Sequence, residues 1–162
     1  MIHSLRRDDL EITDQAEIER LLSTARYATI ALVDGELPYI VTMSCGYDPE
    51  RHRLCFHVAR EGRKLDMIAA NPRACATVVR DLGYMTGECA HPYASVVAFG
   101  KMRVLEDAVD ARDAMRTLIA QLESAGDASA IWDRNRLDTA EGLGRCRMLA
   151  LDIENLTAKT GR

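Results

Sequence analysis

The stretch LCFHVAREGRKLDMIAANPRACA, residues 54–76, reads as strand, loop, helix and strand in quick succession. Its apolar start suits a buried strand, and a charged loop containing Gly62 follows. The helix opens with Arg63 and Lys64 and carries Leu65, Ile68 and Ala69 at helical spacing. It must stop at Asn71-Pro72, because the residue before proline is pushed away from the helical region. The first backbone N–H groups of a helix lack intrahelical acceptors, and the macrodipole favours negative charge there. Two cations in that turn oppose the dipole unless an anion joins them. A phosphate suits the position, and arginine grips it bidentately. This points to a phosphorylated cofactor lying along the preceding strand; the competing reading is a solvated first turn.

Outward from this stretch the chain is rich in strands. Asp14 and Glu17 form a capping-box pattern for a helix running to about Ala25. Tyr27 to Val33 and Leu37 to Met43 are strands joined at the hairpin signal Asp34-Gly35. A loop built on Asp48-Pro49 leads to a third strand, Arg53 to Ala59. Arg73 to Arg80 and Tyr93 to Leu105 follow as strands, the second long enough to bend at Gly100. Between them DLGYMTGECAHP shows no period. Ala108 to Leu122 is an amphipathic helix with Ala111, Met115, Leu118, Ile119 and Leu122 inward. Ser124 to Asp127 reads as a loop, Ile131-Trp132 as part of a short helix, and Cys146 to Leu156 as the closing strand. A doubly wound sheet needs a helix between nearly every pair of strands, which this order lacks. The pattern predicts a mainly β protein with helices, built on a six-stranded antiparallel barrel, closed or split.

At 162 residues the chain suits one domain, 1–162. A formal net charge of −4 with scattered basic residues argues against nucleic acid as the main partner. No apolar run reaches membrane-span length, and MIHSLRRDDLEI lacks the apolar core of a signal peptide, so a cytoplasmic location is expected. Five cysteines without a C-x-x-C pair read as reduced, mostly structural thiols. Cys89 and His91 alone do not make a metal site.

The chain resembles the pyridoxamine 5′-phosphate oxidase-like FMN-binding split-barrel proteins, and within them the nitroimidazole-resistance (Nim-type) flavoproteins. ALVDGELPYIVTMSCGYD, LCFHVAREGRKLDMIAANPRACATV, YASVVAFGKMRVLED and the helix after it carry the likeness, over most of residues 8–122. Phe56-His57, Gly62-Arg63-Lys64 and Asn71-Pro72 are its most specific elements. The resemblance implies a homodimer with FMN at its interface. Arg63 and Lys64 would hold the phosphate, and Phe56, His57, Val58 and Ala59 would line the flavin. Ile40, Val41, Thr42 and Met43 would lie beside the ring, with Ser95 contributed by the partner chain at the phosphate end and Tyr93 and Val96 flanking it. The group's pattern has proline near Thr42 and a larger apolar residue near Cys45, and this chain departs from it at both. The extra basic residues that would hold a substrate phosphate are missing, which argues against vitamin B6 oxidation.

The expected activity is reduction of a small acceptor, such as a nitroaromatic or a quinone, by an FMN-dependent oxidoreductase. His57 is the candidate catalytic residue, a proton donor whose unperturbed pKa is near neutrality. As alternatives, His57 is a hydrogen-bonded strand residue or a haem ligand. The competing functions are a non-catalytic flavin- or haem-binding protein and a deazaflavin-dependent reductase.

Overall fold

A computed structural model describes residues 7–161. Residues 1–6, part of the segment read above for a signal peptide, lie outside the described residues. After a short 3-10 turn at Asp8–Leu10, the order is α1 (Gln15–Thr24), β1 (Tyr27–Asp34), β2 (Leu37–Ser44), β3 (Gly46–Asp48), β4 (Arg53–Val58) and α2 (Arg63–Ala70). There follow β5 (Arg73–Asp81), β6 (Tyr93–Val104), α3 (Ala108–Leu122), α4 (Ala125–Asn135), α5 (Ala140–Leu143) and β7 (Arg147–Gly161). The strands form one antiparallel sheet in the order β2-β1-β5-β6-β7-β4-β3. It is a split barrel with seven strands where six were expected.

The bend at Gly100 organises this sheet. Tyr93 to Phe99 of β6 run against β7 from Gly161 back to Asn155, with β5 on their other side. Past Gly100 the register shifts, leaving Glu154 of β7 as the extra residue of a bulge, and β6 continues against Ile153 to Leu149. That same segment of β7 pairs with β4. The two strands thus belong to both halves of the sheet, and the bend between the halves curls β2 round to lie beside β4. A Cβ at Gly100 would stand 1.9 Å from the carbonyl oxygen of Asp152, so only glycine permits the crossing.

Inside the curl, Ala28, Ile30 and Leu32 of β1 meet Ala74, Ala76 and Val78 of β5 and Val96 and Ala98 of β6. Ile18, Leu21 and Leu22 of α1 and Met67 and Ile68 of α2 complete this core. A second core lies on the other side of β4 and β7, where Ala111, Ala114, Met115 and Leu118 of α3 cover Cys55, Met148 and Ala150.

Charge fastens α3 to β4. Arg53 is fully buried; its Nε donates to Asp48 Oδ2 at 3.1 Å, and its Nη1 stands 2.7 Å from Asp110 Oδ1 on the first turn of α3. The second contact is an ion pair off the hydrogen-bond angle, which leaves Arg53 Nη1 and Nη2 without a directed partner. Burial alone would raise the Asp110 carboxyl, but Arg53 and Arg103 outweigh it and hold it below the usual carboxylate range. Gln121 adds a neutral tie: its amide nitrogen donates to the carbonyls of Leu22 and Ala25, while its oxygen accepts from Tyr47 N at 2.8 Å.

The structure adds the 3-10 turn and α5 to the sequence reading, and three further elements differ from it. The loop before β4 contains β3, whose short ladder with β4 is held from the α3 side by Gln121. Ser124 to Asp127 is not a loop: Ser124 caps α4 by accepting from Asp127 N. The last strand continues past Leu156 to Gly161, because its tail pairs with the start of β6. At α1, Asp14 does cap by accepting from Ala16 N, but Glu17 turns outward to Arg20 and Arg80. Gly100→Ala is expected to destabilise the fold by about 3 kcal/mol through overpacking against backbone that cannot retreat. Equilibrium urea unfolding checks this; an unchanged midpoint would contradict the tight crossing.

Candidate functional site

β4 ends at Val58 and the chain reaches α2 through Ala59 to Gly62. Gly62 occupies the N-cap with φ 138°, backbone that a side chain would strain, and it offers no side-chain oxygen to the first turn. Leu65 N donates to the Gly62 carbonyl at 2.9 Å, which leaves the N–H groups of Arg63 and Lys64 for another acceptor. Arg63 is exposed and Lys64 half-buried, and neither forms an ion pair among the described residues. The Arg63 guanidinium lies 6.0 Å from the centroid of the Tyr39 ring on β2, in cation–π range. Tyr39 was not foreseen; its alternation with Val41 and Met43 placed it on the same strand face, but nothing local linked it to α2.

The expected cofactor residues fall into three groups. Phe56 and Val58 are buried and point into the main core, so their contribution to a ligand at this place is shape and backbone. Ala59 is exposed at the end of β4. Within β2 the side chains divide: Val41 and Met43 pack against the core, while Ile40 and Thr42 stand on the outer face, where Thr42 hydroxyl meets that of Thr29 at 3.0 Å. The curl places these two strand segments side by side, with the basic turn of α2 at their end.

Tyr93, Ser95 and Val96 lie elsewhere. Val96 points into the core, and Tyr93 and Ser95 occupy the opposite face near the start of β6. Their surroundings within the protomer are Val79, Asp81, His91 and Lys159, not Arg63 or Lys64. His57 also parts from its neighbours. Its ring leaves β4 on the face opposite Phe56, is exposed, and borders a cavity under α3 and α4.

The outer face of β1, β2, β5 and β6 carries apolar groups that no described element covers. Val33, Ile40 and Val79 are exposed there, and Val97 and Phe99 half-buried.

All five cysteines are free thiols. Burial pushes the Cys45 and Cys55 thiols up to about 12, and raises those of Cys75 and Cys146. Cys89 is exposed. Since the thiolate is the reactive form, the folded protein should react rapidly with an aromatic disulfide reagent at Cys89 alone, the rest following on denaturation. Mass mapping of the first labelled peptide checks this, and fast labelling of Cys45 or Cys55 would contradict the burial.

The chain belongs to the pyridoxamine 5′-phosphate oxidase family, whose pattern matches residues 14–160. No curated protein matches it in sequence at a significant level. Among solved structures it is similar to a proposed 5-nitroimidazole antibiotic resistance protein from Bacteroides thetaiotaomicron, with a TM-score of 0.75, 20% identity, and 99% of this chain and 96% of that one covered. The flavocytochrome Anf3 of Azotobacter vinelandii gives a TM-score of 0.76 at 17% identity, covering 97% and 72%. A FAD- and heme-binding protein of Mycobacterium smegmatis gives 0.76 at 22%, covering 94% and 73%. At such identities these likenesses establish the fold.

Proposed function

We propose that this protein is an FMN-dependent oxidoreductase that reduces a small acceptor, such as a nitroaromatic or a quinone, at the interface of a homodimer. The observation that carries the reading is the basic first turn of α2, without a side-chain cap, which follows β4 in the chain and meets Tyr39 of β2 through Arg63. Two cations there oppose the helix dipole in the free protein, and a phosphate dianion would remove that conflict while accepting the leading N–H groups. The residues present therefore fit a flavin phosphate. FMN is preferred because this site provides for one phosphate; the similar structures named for FAD and heme are the source of the competing cofactors.

When bound, the flavin supplies the electron chemistry that no side chain offers. Arg63 and Lys64 hold its phosphate, and the Tyr39 ring fixes the Arg63 guanidinium. The β4 segment Phe56 to Ala59 and the β2 segment Ile40 to Met43 supply backbone groups and a wall for the ring. His57 holds a proton at the solvent-facing edge of β4 for delivery to the reduced acceptor. A second protomer docked on the uncovered outer sheet face would bury Ile40, Val79 and Phe99, and would bring Tyr93 and Ser95 to the partner's phosphate end. A Nim-type activity within this class accords with the fold likeness to the Bacteroides protein. The missing substrate-phosphate residues argue against vitamin B6 oxidation, and a cytoplasmic location suits a reductase with free thiols.

Replacing both Arg63 and Lys64 by alanine should weaken FMN binding by on the order of a hundredfold or more, since each charge-assisted hydrogen bond contributes about 1.5–3 kcal/mol. Fluorescence titration with FMN measures this, and wild-type affinity in the double variant would refute the phosphate assignment.

A further inference from the structure

We infer that the partly open cavity lined by α3, α4 and the segment before β7 is a binding site for a small aromatic carboxylate. The cavity has a volume of about 290 Å³. That is close to the lower end of small-molecule sites and suits one or two rings. Leu118, Ile119 and Leu122 give one wall from α3, and Ile131 and Leu137 face them from α4 and its end. Protein interiors ordinarily close such gaps by packing. Here α3 and α4 meet at Arg116 and Trp132 but leave a gap lined by Leu118, Ile119, Leu122, Ile131 and Leu137, which a planar ring would fill.

The polar groups bordering the cavity set the chemistry of the ligand's other end. His57 comes from β4 and Arg145 from the chain just before β7, both exposed. The Arg145 guanidinium has a single carboxylate partner among the described residues, Glu141 at 3.6 Å, and both side chains are more than half exposed. A pair of that kind contributes about 0–1 kcal/mol and is readily exchanged for a ligand carboxylate. Glu123, at the end of α3, also borders the cavity and repels an anion, so the carboxylate is directed to Arg145 and His57. Of the residues assigned to the flavin, His57 alone lines this cavity; Arg63, Lys64 and all of β2 lie outside it. The cavity is therefore separate from the proposed phosphate end and shares only His57 with the residues assigned to the flavin.

Calorimetric titration of the full chain as isolated, with benzoate and naphthoate, tests the proposal, with benzyl alcohol as the neutral control. Either acid should bind, and benzyl alcohol should bind much more weakly. Arg145→Gln should weaken acid binding by about tenfold. Ile119→Trp, which fills the cavity from its half-buried wall, should abolish binding while the flavin content stays that of the wild type. Arg145 lies on the surface, so its variant keeps the test informative if Ile119→Trp fails to fold. Absence of binding by both acids overturns the proposal, as does unchanged binding in both variants or equal affinity for benzyl alcohol. A change of oligomeric state in Ile119→Trp without acid binding by the wild type would assign the cavity to a protein contact instead.

Discussion

The close crossing of β6 and β7 at Gly100 is the constraint on which the remaining architecture depends. A hydrogen-bonded ladder between two long strands tends to a smooth twist, and a barrel needs a corner. The absent side chain lets the Asp152 carbonyl approach, and the extra residue at Glu154 turns the ladder there. Without that corner, β2 and β4 would stand at distant places in a flat sheet. With it they lie side by side, and the first turn of α2 reaches Tyr39. A backbone contact between two central strands thus brings β2, β4 and the first turn of α2 together.

Charge is used in opposite ways at the N-termini of α2 and α3. At α3 the dipole is met by acidic residues: Asp107 caps it and Asp110 anchors it to buried Arg53. That end is internally complete. At α2 the cap is a glycine and the first turn is basic, so the helix end is complementary to an anion supplied from outside. Removing one partner of the buried Arg53 cluster would strand a charge, at a cost of about 3–5 kcal/mol. Among the described residues no ion pair holds Arg63 or Lys64 to the fold, which accords with the binding role proposed for them.

Much of this was legible in the sequence because it rests on local rules. Gly62, Asn71-Pro72 and the basic pair between them state a bounded helix and its anion preference without tertiary information. The bend at Gly100 was legible from a lone glycine in an overlong strand. β3 was hidden because Gly46–Asp48 has the composition of a turn, and its pairing is imposed by β4 and by Gln121 of α3, about seventy residues away. The start of α4 was hidden by Gly126, which weakens helix propensity while the Ser124 cap restores the start. Strand alternation could have separated His57 from Phe56, but the cavity it meets is assembled from four distant segments. The partner chain proposed for Tyr93 and Ser95 lies outside any single chain's pattern.

The most direct test of the central claim is the visible absorption spectrum of the purified protein, before and after addition of FMN and removal of the excess. The account predicts a retained flavin band near stoichiometric with the protein. A Soret band would instead shift His57 toward a haem-ligating role. A colourless protein that retains no FMN would contradict the account.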